Sequence, residues 1–160
     1  MSAQSKATGG AIGSAFVALA ILIASPLIER WEGTRTEPYR DVVGIWTVCT
    51  GETRVAMRRY TAAECEAMLD GTLSAEFAPA VLAAVPALRE RPHQFAAAIS
   101  LTYNIGPAAF ARSTVARRFN AGDWKGGCDA FLMWVNAGGQ RVQGLVNRRE
   151  AERKLCLTNL

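Results

Sequence analysis

The chain has 160 residues, 50% of them apolar and 20% charged, with one histidine and a formal net charge of +4. That length and composition allow one domain with a real core, or two lobes around one cleft, and exclude a disordered or low-complexity protein. The positive balance suits anionic partners in general, such as nucleic acid, anionic lipid and bacterial cell wall. No Arg/Lys run interleaved with aromatics and no zinc-finger or RNP-like pattern is present, so nucleic acid is not expected as a partner.

From Ala7 to Ile28 no residue is charged, and Lys6 is the only charged side chain before that stretch. This is the layout of an export signal or anchor. The run AIGSAFVALAILIASPLI approaches the ~20 residues that cross a bilayer, yet Gly10, Gly13, Ser14, Ser25 and several alanines dilute it. Three readings compete. A cleaved signal peptide would meet Pro26 directly after its small residues, a poor cutting point. A permanent anchor would be richer in Leu, Ile and Phe. A buried soluble helix is also open, because alanine favours helix and the apolar residues could face a core. We take residues 1–28 as an uncleaved, weakly inserting segment, with positive charge retained in the cytoplasm and the rest of the chain in the periplasm.

From Glu29 to about Tyr60 the run VVGIWTVCT, punctuated by Gly44 and Gly51, predicts a small sheet of hairpins. At Thr61 the pattern changes. TAAE places a capping threonine three residues before Glu64, and helical spacing follows through Leu69, Leu73 and Phe77. Pro92 opens a helix through HQFAAAISLTYN that Gly106-Pro107 ends, and Ser113 and Asp123 read as N-caps of STVARRFN and DWKGGCDAFLMWV. Gly138-Gly139 breaks the chain before a last basic helix around VNRREAERKLCL. The expected fold class is α+β. An N-terminal apolar helix precedes a small lobe with a short β-sheet (29–60) and a larger, all-helical C-terminal lobe (61–160), with a site in the cleft between them.

Cys49, Cys65, Cys128 and Cys156 contain no CxxC pair, which argues against metal ligation and thioredoxin-type chemistry. Export would make disulfides the expected state. Sequence alone does not choose among the three pairings; Cys49 with Cys65 and Cys128 with Cys156 is the expected one, because each bond would staple a segment to its own lobe.

The residues that carry chemistry lie directly after the apolar run. Glycoside hydrolysis commonly uses two carboxyl groups, one giving a proton to the departing oxygen, the other supporting the cationic sugar or activating water. Glu32, following Trp31 at the end of an apolar helix, suits the first role, and Asp41, in polar company after Arg40, the second. Thr47 offers a hydroxyl that can hold a water beside Asp41. Two acids in a loop-rich segment are more often plain surface charges, so this spacing alone is a weak signal.

Glu32, eight residues, Asp41, five residues, Thr47 resembles the signature of the phage-type lysozymes, glycoside hydrolase family 24. The resemblance covers nearly the whole chain after Ile28: YNIG from Tyr103, FARST from Phe110, RFNAGDW from Arg118, CDAFLMWVNAGG from Cys128 and GLVNRREAERKLC from Gly144 are all similar to that family. It implies a lysozyme-like fold and hydrolysis of the β-1,4 bond between N-acetylmuramic acid and N-acetylglucosamine in peptidoglycan, with inversion. Glu32 would be the general acid, and Asp41 with Thr47 would position the attacking water. Arg148 matches an arginine paired with the catalytic glutamate, and Tyr103 and Ser113 match cleft positions. No cofactor or metal is implied.

The Gly/Ala-rich N-terminus resembles the signal-anchor-release endolysins of lambdoid phages, the phage 21 type in particular. This implies an enzyme held inactive at the inner membrane through residues 7–28 and active, as a monomer, once they leave it. No cysteine precedes Cys49, so a tail-cysteine disulfide switch is not expected. Gly51-Glu52 departs from the family's usual Gly-His pair and puts a lobe-stabilising ion pair in question. His93 is expected at the surface near a helix start. A lytic transglycosylase, which leaves anhydro-muramic ends, and an inactive wall-binding anchored protein are the alternatives; the intact Glu32, Asp41 and Thr47 set argues against the second.

Overall fold

The computed structural model describes residues 7–160, with side chains from Gly13 onward; Lys6 lies outside the described residues. Helix α1 (Ala7–Glu32) runs unbroken through the apolar segment and into the first acid of the motif. Its buried residues, Ala20, Ile21, Ala24, Ser25 and Ile28, recur at helical spacing and form one stripe. That stripe packs on α4 (Pro92–Ile105), the centre of the molecule, in which every residue from Gln94 to Thr102 is buried. Phe16 stacks on Phe95 with ring centroids 5.9 Å apart. Leu19 and Leu22 face outward. Ser25 donates a hydrogen bond from its hydroxyl to Asp70 on α2 (Ala62–Thr72), a second tie between the segment and the helical lobe.

The small lobe is one hairpin, and its first strand lies outside the run expected to form it. Strand β1 is Arg35–Arg40 and β2 is Trp46–Cys49, paired antiparallel with Tyr39 opposite Thr47 and Arg40 opposite Trp46. Val42 and Val43, read as strand residues, occupy the exposed connection. Two local preferences override their β-propensity. Gly44 takes φ +85°, and the Asp41 carboxylate collects the backbone N–H groups of Val43 and Ile45, a turn that a straight strand cannot accommodate.

The capping box at Thr61 and Glu64 forms in both directions at the start of α2. That helix continues through a widened π turn (Leu73–Phe77) into α3 (Ala78–Ala84). The wide turn sits directly before Pro79, which has no N–H for the regular ladder. Helices α5 (Pro107–Ala111), α6 (Thr114–Asn120) and α7 (Trp124–Asp129) follow, with Ser113 and Asp123 as the expected N-caps. The helix expected through Val135 is shorter: α7 passes into a 3-10 turn (Ala130–Met133). The C-terminal lobe is also not all helical. Gly138 and Gly139, at φ +57° and +79°, turn a two-residue hairpin of β3 (Asn136–Ala137) and β4 (Gln140–Arg141) before α8 (Gln143–Cys156), because consecutive left-handed glycines supply the tight turn that joins antiparallel strands.

Both disulfides join the cysteines expected, although Cys49–Cys65 crosses from the small lobe to the helical lobe instead of staying within one. Cys49–Cys65 ties β2 to α2, and Cys128–Cys156 ties α7 to α8.

If α1 is part of the core, its two faces should respond differently. Replacing Ile28, 0% exposed, with alanine should cost about 2–5 kcal/mol of unfolding free energy. Replacing Leu22, 67% exposed, should change it by no more than about 0.5 kcal/mol. Denaturant titration of the two variants measures both.

Candidate active site

Glu32 is the last residue of α1. Gly33 takes φ +74° and returns its N–H to the Glu29 carbonyl at 2.8 Å, a left-handed cap that ends the helix and frees the chain to enter β1 two residues later. Oε1 of Glu32 accepts a hydrogen bond from Nη1 of Arg148 at 2.6 Å. The place of Glu32 at the end of an apolar helix suggested apolar company for this acid and the family resemblance an arginine partner; the structure puts the Arg148 guanidinium on it, because α8 runs beside α4 and presents Arg148 at the end of α1. Arg148 itself is only 4% exposed.

Behind Arg148 lies a buried polar cluster. Its Nε donates to Oε1 of Glu152 at 3.2 Å, and its Nη2 to the Ser100 carbonyl at 3.4 Å. The Ser100 hydroxyl donates to the same Glu152 oxygen at 2.7 Å. Nε of Arg149 stands 3.1 Å from Oε2 of Glu152, and Nη2 of Arg149 donates to Oδ1 of Asn104 at 2.9 Å. Burial pushes the Glu152 carboxyl up, against the pull of both guanidiniums and Ser100, and it pushes Arg149 down. Sequence reading missed Glu152 and Arg149. Their signal was the i, i+4 and i, i+3 spacing of Arg148 and Arg149 to Glu152, which on an exposed helix would mean only surface ion pairs.

Asp41 is fixed by the hairpin turn. Its Oδ1 accepts from Val43 N at 3.0 Å and from Ile45 N at 2.8 Å, its own N–H donates to the Ile45 carbonyl at 2.9 Å, and Arg40 braces the turn through the Gly44 carbonyl at 2.9 Å. Oδ2 accepts no hydrogen bond among the described residues, leaving it open to a ligand. Thr47 is buried on β2 and donates its hydroxyl hydrogen to the Ile45 carbonyl at 3.1 Å, so its oxygen retains lone pairs for a water.

Tyr103 sits where helix meets hairpin. It donates to the Thr50 carbonyl at 2.7 Å, and its ring lies 5.0 Å from that of Phe77. Burial, with the nearby charges of Glu32 and Glu52, pushes its hydroxyl up to about 12. Ser113 is buried and accepts from Ala116 N at 3.0 Å as the cap of α6; no hydrogen bond joins it to Glu32, Asp41 or Thr47 among the described residues. Glu52, in place of the expected histidine, still anchors an ionic link. It pairs with Arg54 at 3.3 Å, and Arg54 reaches Glu76 of the helical lobe at 2.6 Å. His93, the second residue of α4, is part of neither group. No cluster of metal-ligating side chains occurs among the described residues.

The sequence model of one family, described as phage lysozyme, matches residues 29–152. A SAR-endolysin of Enterobacteria phage P21 is 39% identical over 160 residues, covering 95% of this chain and 94% of its own. Among solved structures, a lysozyme of phage P22 aligns with TM-score 0.75 and 30% identity, over 84% of this chain and 95% of its own. The active form of the P1 phage endolysin Lyz aligns with TM-score 0.70 and 27% identity, over 87% and 83%.

Arg148→Met should destabilise the protein by about 3–5 kcal/mol, because it strands Glu152 as a buried carboxylate that has lost one of its two cations. A thermal melt within a degree of the parent would show that the cluster does not couple α8 to the core.

Proposed function

The chain belongs to the phage lysozyme family, and from that membership we propose the following assignment of its site and its cellular cycle. It is an endolysin, a muramidase that hydrolyses the β-1,4 bond between N-acetylmuramic acid and N-acetylglucosamine. Residues 29–160 form the lysozyme domain and residues 1–28 the signal-anchor-release segment. Glu32 gives its proton to the glycosidic oxygen as the C1–O bond breaks. Asp41, its Oδ1 held by two backbone amides and its Oδ2 open, takes a proton from a water that Thr47 helps to hold. That water attacks C1 from the face opposite the leaving group, so the product is inverted. Tyr103 walls the cleft from α4. Ser113, whose oxygen caps α6, retains its hydroxyl hydrogen for a sugar. The observation that carries the reading is the Glu32–Arg148 contact, which fixes the first acid of the motif at one defined place.

Glu32→Gln and Asp41→Asn should each lower the rate of peptidoglycan cleavage by about 10²–10⁴-fold while remaining folded. Asp41→Asn preserves the turn, since the carbonyl oxygen of the new amide can still accept from the Val43 and Ile45 N–H groups, so its loss of rate reports the charge alone. New ends released by the parent should be reducing N-acetylmuramic acid of α configuration by NMR. Anhydro ends would mean a transglycosylase, and wild-type rates in both variants would defeat the site assignment.

In the tethered state residues 7–28 cross the inner membrane, with the N-terminus in the cytoplasm and the domain in the periplasm. Glu32 then lies only ~6 Å along the helix axis from Ile28, pinned beside lipid and away from Arg148, and the enzyme is off. In the released state α1 docks on α4 and the protein works as a monomer. The buried stripe of α1 and the similarity to an active-form endolysin both support assigning this structure to the released state. Replacing Gly10, Gly13 and Ser14 together with leucine should hold the protein in the membrane fraction and prevent lysis. Lysis at the parental rate would overturn the release scheme.

A further inference from the structure

A guanidinium favours charge on the carboxylate beside it, yet a general acid must reach the transition state carrying its proton. Arg148 donates to Glu32 at 2.6 Å, so the same contact that places the acid works against the chemistry proposed for it. What lies behind Arg148 offsets that conflict. We propose that Glu152 is a positioning residue that holds Arg148 from behind and neutralises part of its charge, so that Glu32 is held in place and still able to carry a proton. This rests on Glu32 being the proton donor.

The geometry assigns two functions to one carboxylate. Through Oε1, which accepts from Arg148 Nε at 3.2 Å and from the Ser100 hydroxyl at 2.7 Å, Glu152 fixes the guanidinium plane and thereby the direction in which Nη1 points. Through Oε2, 3.1 Å from Nε of Arg149, it offsets a second cation. That contact acts by charge alone, since neither Oε2 of Glu152 nor Nε of Arg149 forms an aligned hydrogen bond. The groups facing Glu152 are Arg148 and Arg149 on its own helix and Ser100 on α4; Glu32 on α1 reaches it through Arg148. With Glu152 ionised, two guanidiniums and one carboxylate leave one net positive charge to act on Glu32. Without Glu152 there would be two, and without Arg149 there would be none.

The Glu152 side chain is 0% exposed. A buried ionic cluster costs stability even when paired, and apolar side chains in place of all three of Arg148, Arg149 and Glu152 would hold α8 against α4 at least as well, whereas removing Glu152 alone strands two buried guanidiniums. A purely structural reading therefore leaves the charge unexplained, whereas an electrostatic role needs it. Burial also makes it effective, because charges separated from water by protein are screened far less than those at the surface.

The test is the pH dependence of kcat/KM on purified peptidoglycan, using full-length released protein. On the alkaline side activity falls as the general acid loses its proton. Glu152→Gln keeps the shape and removes the charge, so the alkaline limb should move to lower pH by about one unit. Arg149→Gln should move it the other way, to higher pH. The acidic limb, which reports the base, should stay in place in both. Loss of packing cannot produce opposite shifts from two neighbouring substitutions. Alkaline limbs that stay in place, or move in the same direction, in folded variants would overturn the proposal. Should Glu152→Gln fail to fold, Arg149→Gln decides alone, and an unmoved or lowered limb refutes it. An inactive parent, or a Glu32→Gln variant with parental activity, would instead refute the assignment of Glu32.

Discussion

The contact between Glu32 and Arg148 is the constraint on which the rest of the arrangement turns. It joins residues 116 positions apart, and it can form only if three helices are placed correctly. Helix α4 must be buried so that α1 and α8 both have a surface to lie on. Helix α8 must present Arg148 inward, which its pairing with Glu152 and the Ser100 carbonyl ensures. Helix α1 must dock along its Ala20–Ile28 stripe so that its last residue arrives at the guanidinium. The geometry proposed for catalysis and the packing of the apolar helix are therefore one condition. A displaced α1 removes the proposed acid from its partner without altering any residue of the cleft.

The second carboxylate is fixed by different means. Asp41 needs no helix and little core, since the hairpin turn supplies two amide donors to one oxygen and leaves the other free. The small lobe that carries it is joined to the helices at several independent points: the Cys49–Cys65 bond, the Tyr103 hydroxyl on the Thr50 carbonyl, and the ionic chain from Glu52 through Arg54 to Glu76. None of these links involves a residue of α1. Glu32 and Asp41 are therefore held by different parts of the molecule, the first by α1 and Arg148, the second by the turn of a lobe that a disulfide, a hydrogen bond and an ionic chain tie to the helices.

Local signals were legible in the sequence, while of the non-local contacts only the disulfide pairing and, through the family resemblance, the Glu32–Arg148 pair were expected. The Thr61–Glu64 capping box, the Ser113 and Asp123 caps, the stop at Gly106-Pro107 and the break at Gly138-Gly139 each depend on residues within a turn of one another, and all formed. Strand β1 was illegible because RTEPYR carries charges and Pro38, and becomes a strand only by pairing with β2. Val42 and Val43 misled in the opposite sense, since strong β-formers were placed in a turn controlled by the Asp41 side chain. The Arg148–Arg149–Glu152 cluster was hidden for a related reason: a charged helix end reads as solvated surface until the helix it packs against is known. In the site, the motif and the family resemblance identified Glu32, Asp41 and Thr47 as candidates and Arg148 as the partner of Glu32, but the buried Arg149 and Glu152 behind it depended on the packing of α8 against α4.

The composition of α1 suits the two environments that the proposed release scheme gives it. A helix built for a protein core would carry large residues on one face and polar ones on the other; one built to remain in lipid would be rich in leucine on all sides. Here the docked stripe alternates small and branched residues, Ala20 and Ala24 with Ile21 and Ile28, while Leu19 and Leu22 remain outside. Burying each of the two isoleucines favours docking by about 1.5–3 kcal/mol. In the proposed tethered state, each apolar residue favours the bilayer by only a few tenths of a kcal/mol, and the glycines and serines return some of that. Completion of the Glu32–Arg148 pair is available on the docked side alone, which makes the proposed catalytic acid one of the groups that determines where its own helix resides.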